Sequence, residues 1–137
     1  MTTVYKLTDL DMKTYDGYEW ALGERRTFPG TGELCGPGWA HAYTHPILAI
    51  LLNPIHADLI NYRLFEADGL IGATDYGLKI GCFSLMLTKE LTLPAITIEH
   101  RVHFAILCVL AVYSEPPFVA WAEKWLSGED RSARAAW

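Results

Sequence analysis

Positive charge is scarce in this 137-residue chain: Lys and Arg number 11 against 16 Asp and Glu, for a formal net charge of -5. The basic residues are scattered apart from Arg25-Arg26 and the Arg131/Arg134 pair. No basic stripe follows a phosphate backbone, so nucleic acid is excluded as the main partner. Cysteine is equally sparse. Three residues, Cys35, Cys82 and Cys108, are an odd number without paired spacing, which argues against a disulfide framework and for reduced thiols in a cytoplasmic setting. The longest apolar runs, residues 47–52 and 104–113, fall short of the roughly 20 residues that a membrane span needs. The first residues carry neither a charged segment nor an apolar one of the secretory type, so a cytoplasmic protein with no membrane partner is expected.

What is present is apolar. Hydrophobic residues make up 51% and charged residues 20%, which excludes a disordered chain and leaves a surface that calls for a partner, an oligomer or a deep groove. At this length a single domain over 1–137 is expected, burying about two-thirds of its unfolded surface. Residues 1–94 read as strands and loops with one short helix, and 95–137 as helical.

Residues 3–8 are rich in β-formers and open the chain as a strand. Asp16-Gly17 marks a turn before a short strand at 18–22, and 24–38 is a Gly- and Pro-rich loop in which Thr27-Phe28 briefly extends. Residues 39–43 alternate large and small side chains, which sets Trp39, His41 and Tyr43 on one strand face. Thr44 then caps a short buried helix carrying His45 and Pro46 in its first turn, ended by Asn53-Pro54. A strand at 63–68 closes at Asp68-Gly69 with Leu70-Ile71 as an extension, 72–77 is a loop, 78–84 has no clear period, and 86–93 is a strand ended by Pro94. Thr97 caps a helix over 98–113, and Pro116-Pro117 starts another over 118–126. The fold class is therefore α+β: a small curved antiparallel or mixed sheet with a short buried helix and a C-terminal helical hairpin packed on it.

The densest chemistry lies between Gly32 and Pro46. Cys35, His41 and His45 are ligand-competent, but no second CxxC or HxxH pair supplies a fourth ligand beyond the distant His100 and His103, and no metal is expected. Cys35 sits in a loop near a histidine without the strand-turn-helix context that exposes a nucleophile. Gly30-Thr31-Gly32 and Gly36-Pro37-Gly38 are followed by no Gly-Lys-Ser/Thr. With each catalytic set incomplete, the reading leans against an enzyme, and no catalytic residue or cofactor is assigned.

Tyr5-Lys6, Leu34-Cys35, the run from Gly38 to Ala42, Pro46 and Phe65-Glu66 together resemble an uncharacterised family of small phage and prophage domains, over roughly residues 3 to 94. That resemblance implies a phage-type accessory protein in the cytoplasm of an infected or lysogenic host cell, acting by binding a protein partner, inhibition of a host defence system being one such role. More remotely, the order of features is similar to ADP-ribosyltransferase-like folds: a first strand with a polar tip (Lys6, Thr8), then Gly38, Tyr43 and Thr44 leading into a helix with Ala49. This second resemblance implies NAD or a related nucleotide in a groove formed by Lys6, Thr8, His41, Tyr43, Thr44 and Glu66. Lys6 stands where active members carry His or Arg, and Glu66 and Glu90 are the late acids.

The final helix carries Phe118, Val119, Trp121, Trp125 and Leu126, more than one helical face can hide, so Trp121 and Trp125, with Trp137 in the tail, are expected as the surface for a protein partner or a homo-oligomer.

Overall fold

A computed structural model describes residues 1–132, and the chain divides into two compact units, Met1–Pro94 and a helical one from Ala95 on. Trp137, expected at a partner surface, lies outside the described residues. The architecture is α+β.

The first unit is built on five antiparallel strands: β1 (Thr2–Thr8), β4 (Arg25–Thr27), β5 (Ala40–Tyr43), β6 (Arg63–Asp75) and β7 (Lys79–Leu91). They stand in the order β4-β7-β5-β1-β6, and β6 pairs β7 as well. The pairings β7 to β5, β5 to β1, β1 to β6 and β6 back to β7 make a ring, so the curved sheet expected from the sequence is closed into a small barrel. Closure satisfies backbone groups that an open sheet would leave unpaired at its edges.

The inward face carries Val4, Ala40, Ala42, Phe65, Ala67, Ile80, Cys82, Leu85 and Leu87. Period two puts Lys6 and Thr8 on the face of Val4, and both are buried. A two-stranded ribbon, β2 (Lys13–Thr14) with β3 (Tyr18–Glu19), leads into Trp20, which joins this core and packs with Tyr18 and Phe28 at centroid separations of 5.2 and 6.1 Å.

Two departures from expectation have one cause. The hairpin strands run to 13 residues each, through 72–75 and 79–84, where a loop and an unassignable stretch were expected. Their ladder shifts register between Glu66 and Ala67, between Leu70 and Ile71 and between Ile71 and Ala73. Each shift resets the inward-outward phase, so simple alternation cannot reveal the strand. On β7 the buried set passes from Ile80 and Cys82 to Leu85 and Leu87 across such a change. Gly72 is required by close approach: a Cβ there would come within 2.3 Å of Phe83 and 2.6 Å of Trp39. The reversal is made by Tyr76 and Gly77, at φ of 50° and 76°.

Helix α1 (Pro46–Leu51) packs over β1 and β5 and buries Ala49 and Ile50. Its cap is His45, whose Nδ1 accepts from the Ile47 amide at 3.2 Å, while Thr44 turns away and donates to the Gly77 carbonyl at 3.0 Å. Contrary to expectation, Asn53-Pro54 does not end helical structure; proline occupies the first turn of a second short helix, α2 (Asn53–His56), where its missing N–H is harmless.

In the second unit, α3 (Ile98–Leu110) begins with a reciprocal cap between Thr97 and His100, and α4 (Pro116–Ser127) ends at Gly128 with φ 82°. Val102, Ile106 and Leu110 of α3 meet Phe118, Trp121, Ala122, Trp125 and Leu126 of α4. Trp125 is thus buried, at 7% exposure, with the Arg131 guanidinium 4.6 Å above its ring, and Trp121 is half-buried. The expected exposed aromatic face on α4 is corrected: α4 uses its aromatics to cover α3, and the surplus apolar surface sits on α3, with Ile98, Leu107 and Val109 exposed.

Among the described residues no helix is long and apolar enough to cross a membrane. Truncating Trp125 removes the largest buried side chain of the α3–α4 core, so Trp125→Ala should destabilise the helical unit by about 3–5 kcal/mol. Thermal melts followed by far-UV circular dichroism would check this as an early loss of helical signal.

Candidate functional site

A cavity of about 480 Å³ opens in the first unit. It opens where the barrel is least complete. Strands β1 and β5 are in register only at Tyr5 and Tyr43, and the Lys6 ammonium donates to the His41 carbonyl at 2.6 Å. Lys6 also lies 5.0 Å from the centre of the Trp20 ring, whose indole N–H is held by the Thr14 hydroxyl at 2.9 Å. Burial, with the charge of Lys79 adding to it, pulls Lys6 down from 10.5 to about 8. An ammonium with that value remains largely cationic at neutral pH.

Lys79, the first residue of β7, is the second buried cation on the cavity wall, at 8% exposure. It stands opposite Tyr43 in the ladder and donates to Cys35 Sγ at 3.7 Å. Among the described residues neither lysine forms an ion pair. Asp75 is opposite Lys79 in the hairpin register without pairing to it, and Asp9, an acid on the cavity wall, accepts from the Asp11 and Lys13 amides at 2.9 and 2.8 Å.

Lys13, also on the wall, pairs with Glu19 at 3.9 Å, and the remaining polar groups there are neutral. The Tyr43 hydroxyl and His56 Nδ1 are hydrogen-bonded at 2.6 Å, with the two rings stacked at 5.8 Å and 13°. Burial first, and the neighbouring Cys35, push the Tyr43 phenol up to about 12, and burial with Lys79 pulls His56 below its ordinary value. His41 Nε2 meets the Leu34 carbonyl, an acceptor that fixes the proton on that nitrogen. Burial ahead of the Lys79 and Lys6 charges lowers His41 to about 4. Asn53 organises the far rim. Its amide donates to the Leu59 carbonyl and accepts from the Leu59 amide, both at 2.9 Å, closing the loop that carries His56.

Of the groove residues expected from the sequence, Lys6, His41 and Tyr43 meet at this cavity. Thr8 is buried and donates to the Asp9 carbonyl, Thr44 is exposed beside Gly77, and Glu66 stands in the ladder between Tyr5 and Lys89. Glu90, the other late acid, is taken up by Arg63 at 2.6 Å. Trp20, Asn53, His56 and Lys79 were not anticipated. The only local signal for Lys79 was a lysine opening a run of apolar residues; the loop carrying Cys35 comes to rest against it, which sequence spacing does not reveal. His45 is spent as a helix cap, and among the described residues no three metal-ligating side chains converge.

No family model, curated protein or solved structure matches this chain.

The His41 value carries a pH dependence with a definite sign. The folded value of about 4 lies below the unfolded 6.5, so the unfolded chain binds more protons between those limits. The contribution is complete above the unfolded value and is lost as pH falls toward the folded one. His41→Gln keeps a donor for the Leu34 carbonyl but cannot titrate, so its loss of unfolding free energy from about pH 7 to about pH 4.5 should be smaller than the parent's by about 1–2 kcal/mol. Urea titrations of both proteins at the two pH values measure the difference.

Proposed function

We propose that the first unit binds a small planar anion of the mononucleotide class in the cavity between β1, β5 and α2. The observation that carries this reading is the pair of buried ammonium groups, Lys6 and Lys79, without a carboxylate partner on either. A buried charge lacking a counter-charge costs several kcal/mol, and an anionic ligand offsets that cost on arrival. Trp20, Trp39, Tyr43 and His56 on the same wall supply flat apolar faces for a ring, and a volume of about 480 Å³ is in the range of small-molecule sites. The reading is of binding: of the acids that a transferase resemblance would employ, Glu90 is paired with Arg63, and neither Glu66 nor Glu90 lines the cavity.

The test is a thermal shift with AMP, adenosine, ribose 5-phosphate and inorganic phosphate. AMP at about 100 times its Kd should add about 2.7 kcal/mol of stability, and adenosine, lacking the anion, should add much less. Lys6→Met and Lys79→Met should each abolish the AMP shift while leaving a cooperative melt of the free protein, because exchanging a buried charge for an apolar chain of similar length is often neutral or stabilising. No shift with any of the anions, or a shift unchanged in both variants, would sink the reading.

A second reading rests on the helical unit. Ile98, Leu107, Val112 and Tyr113 are exposed on and just after α3, a surface suited to a protein partner, with a second copy of the chain as the occupant tested first. In this reading the protein acts by contact, as a phage-type accessory protein would. Sedimentation at rising concentration should show mass beyond one chain, and Leu107→Glu with Val112→Glu should restore the monomer.

A further inference from the structure

The geometry points to Cys35 and Lys79 as an oxidant-sensitive pair that closes into a covalent sulfur–nitrogen cross-link. Three observations meet here. Lys79 Nζ lies 3.7 Å from Cys35 Sγ. Lys79 is more than nine-tenths buried, and the thiol is the hydrogen-bond partner of its ammonium. Cys35 is exposed, in a loop tethered by the His41 bond to the Leu34 carbonyl, so a small oxidant reaches the sulfur while the amine behind it is held in place.

The chemistry balances with a hydroperoxide as oxidant. The Cys35 thiol and hydrogen peroxide give a sulfenic acid and water, sulfur losing two electrons and the peroxide O–O bond breaking. The Lys79 ammonium first gives up a proton to solvent, and the free amine nitrogen then attacks the sulfenic sulfur. The S–N bond forms, the S–O bond breaks, and the ammonium and the sulfenic acid yield the cross-link, one water and one proton. A sulfenic acid usually condenses with a second thiol or a backbone nitrogen. Here a side-chain amine is held at 3.7 Å from the sulfur, and proximity of this kind converts a bimolecular step into an intramolecular one. The other cysteines differ in kind. Cys82 is fully buried in the barrel, where burial pushes its thiol up to about 11, and Cys108 is exposed on α3. The cross-link would tie the loop carrying Cys35 to the first residue of β7.

The experiment treats the intact protein with hydrogen peroxide, digests it without reductant and maps the peptides by mass spectrometry. A peptide joining Cys35 to Lys79, lighter than the sum of its parts by two hydrogen atoms and released by dithiothreitol, is the expected product. Dimedone present during oxidation should label Cys108 and spare Cys35, since internal capture outruns the trap. In Lys79→Arg, which keeps the charge but lacks a nucleophilic amine, dimedone labelling of Cys35 should rise to the level of Cys108. The proposal is overturned if Cys35 in the parent protein takes up dimedone as fully as Cys108 with no joined peptide. It is equally overturned if Cys35 is recovered as a disulfide. Because the parent peptide map decides the matter, a failure of Lys79→Arg to fold would not leave it open. None of these readouts depends on ligand binding in the cavity.

Discussion

Closure of the β-sheet on itself is the constraint from which the rest of the first unit follows. The long hairpin of β6 and β7 pairs with β1 on one side and with β5 on the other, so Lys6, placed on the inward face by the period-two rule, has nowhere to go but the barrel interior. In an open sheet of this size the same residue could reach water. The narrowness of the β1–β5 seam, in register at one residue pair, leaves the opening through which the Lys6 ammonium finds the His41 carbonyl and beside which the cavity forms.

The compensation around the two buried lysines is partial, and its incompleteness is informative. A hydrogen bond to a charged group contributes about 1.5–3 kcal/mol, and a cation over an aromatic ring about 0.5–2 kcal/mol. Lys6 has one of each, to the His41 carbonyl and Trp20, whereas Lys79 has a weak sulfur acceptor. Set against a desolvation penalty of several kcal/mol per ion, these contacts hold the side chains in position without neutralising them. Neutral forms of His41 and His56 around them follow from the same field, since burial together with nearby positive charge disfavours adding a proton to either imidazole, while Tyr43 is kept neutral by burial and the neighbouring Cys35. The site is thus electropositive, with hydrogen-bonding groups already oriented by Leu34 and Asn53.

The helical unit solves its packing problem differently. Two helices can bury only one stripe each against the other, and here the larger residues are spent on α4, with Phe118, Trp121 and Trp125 covering Val102, Ile106 and Leu110. The indole N–H of Trp121 is buried without a hydrogen-bond partner among the described residues, a sign that this contact was selected by apolar bulk. What remains uncovered is the opposite side of α3.

Much of the local structure was legible from residue types, because those signals act over a few residues. The opening strand, the Thr97 cap, the Pro116 start, the Gly128 stop and the alternation of Trp39, His41 and Tyr43 needed no long-range information, and the α+β class followed from them. Cooperation between sites far apart in sequence was not legible. Register shifts in the β6–β7 ladder erase the period-two signal, so two 13-residue strands looked like strands broken by loops. The burial of Lys79 depends on where a loop more than forty residues earlier comes to rest against it. The burial of Trp125 depends on a helix that could equally have turned another face toward it. Sequence by itself determined which segments extend, coil or turn, whereas the grouping of Lys6, His41 and Tyr43 was implied only by a remote resemblance that also named Thr8, Thr44 and Glu66, which do not line the cavity. Only the tertiary structure decided that the sheet closes, because hydrogen-bond pairing between strands depends on register and approach, which a one-dimensional pattern does not encode.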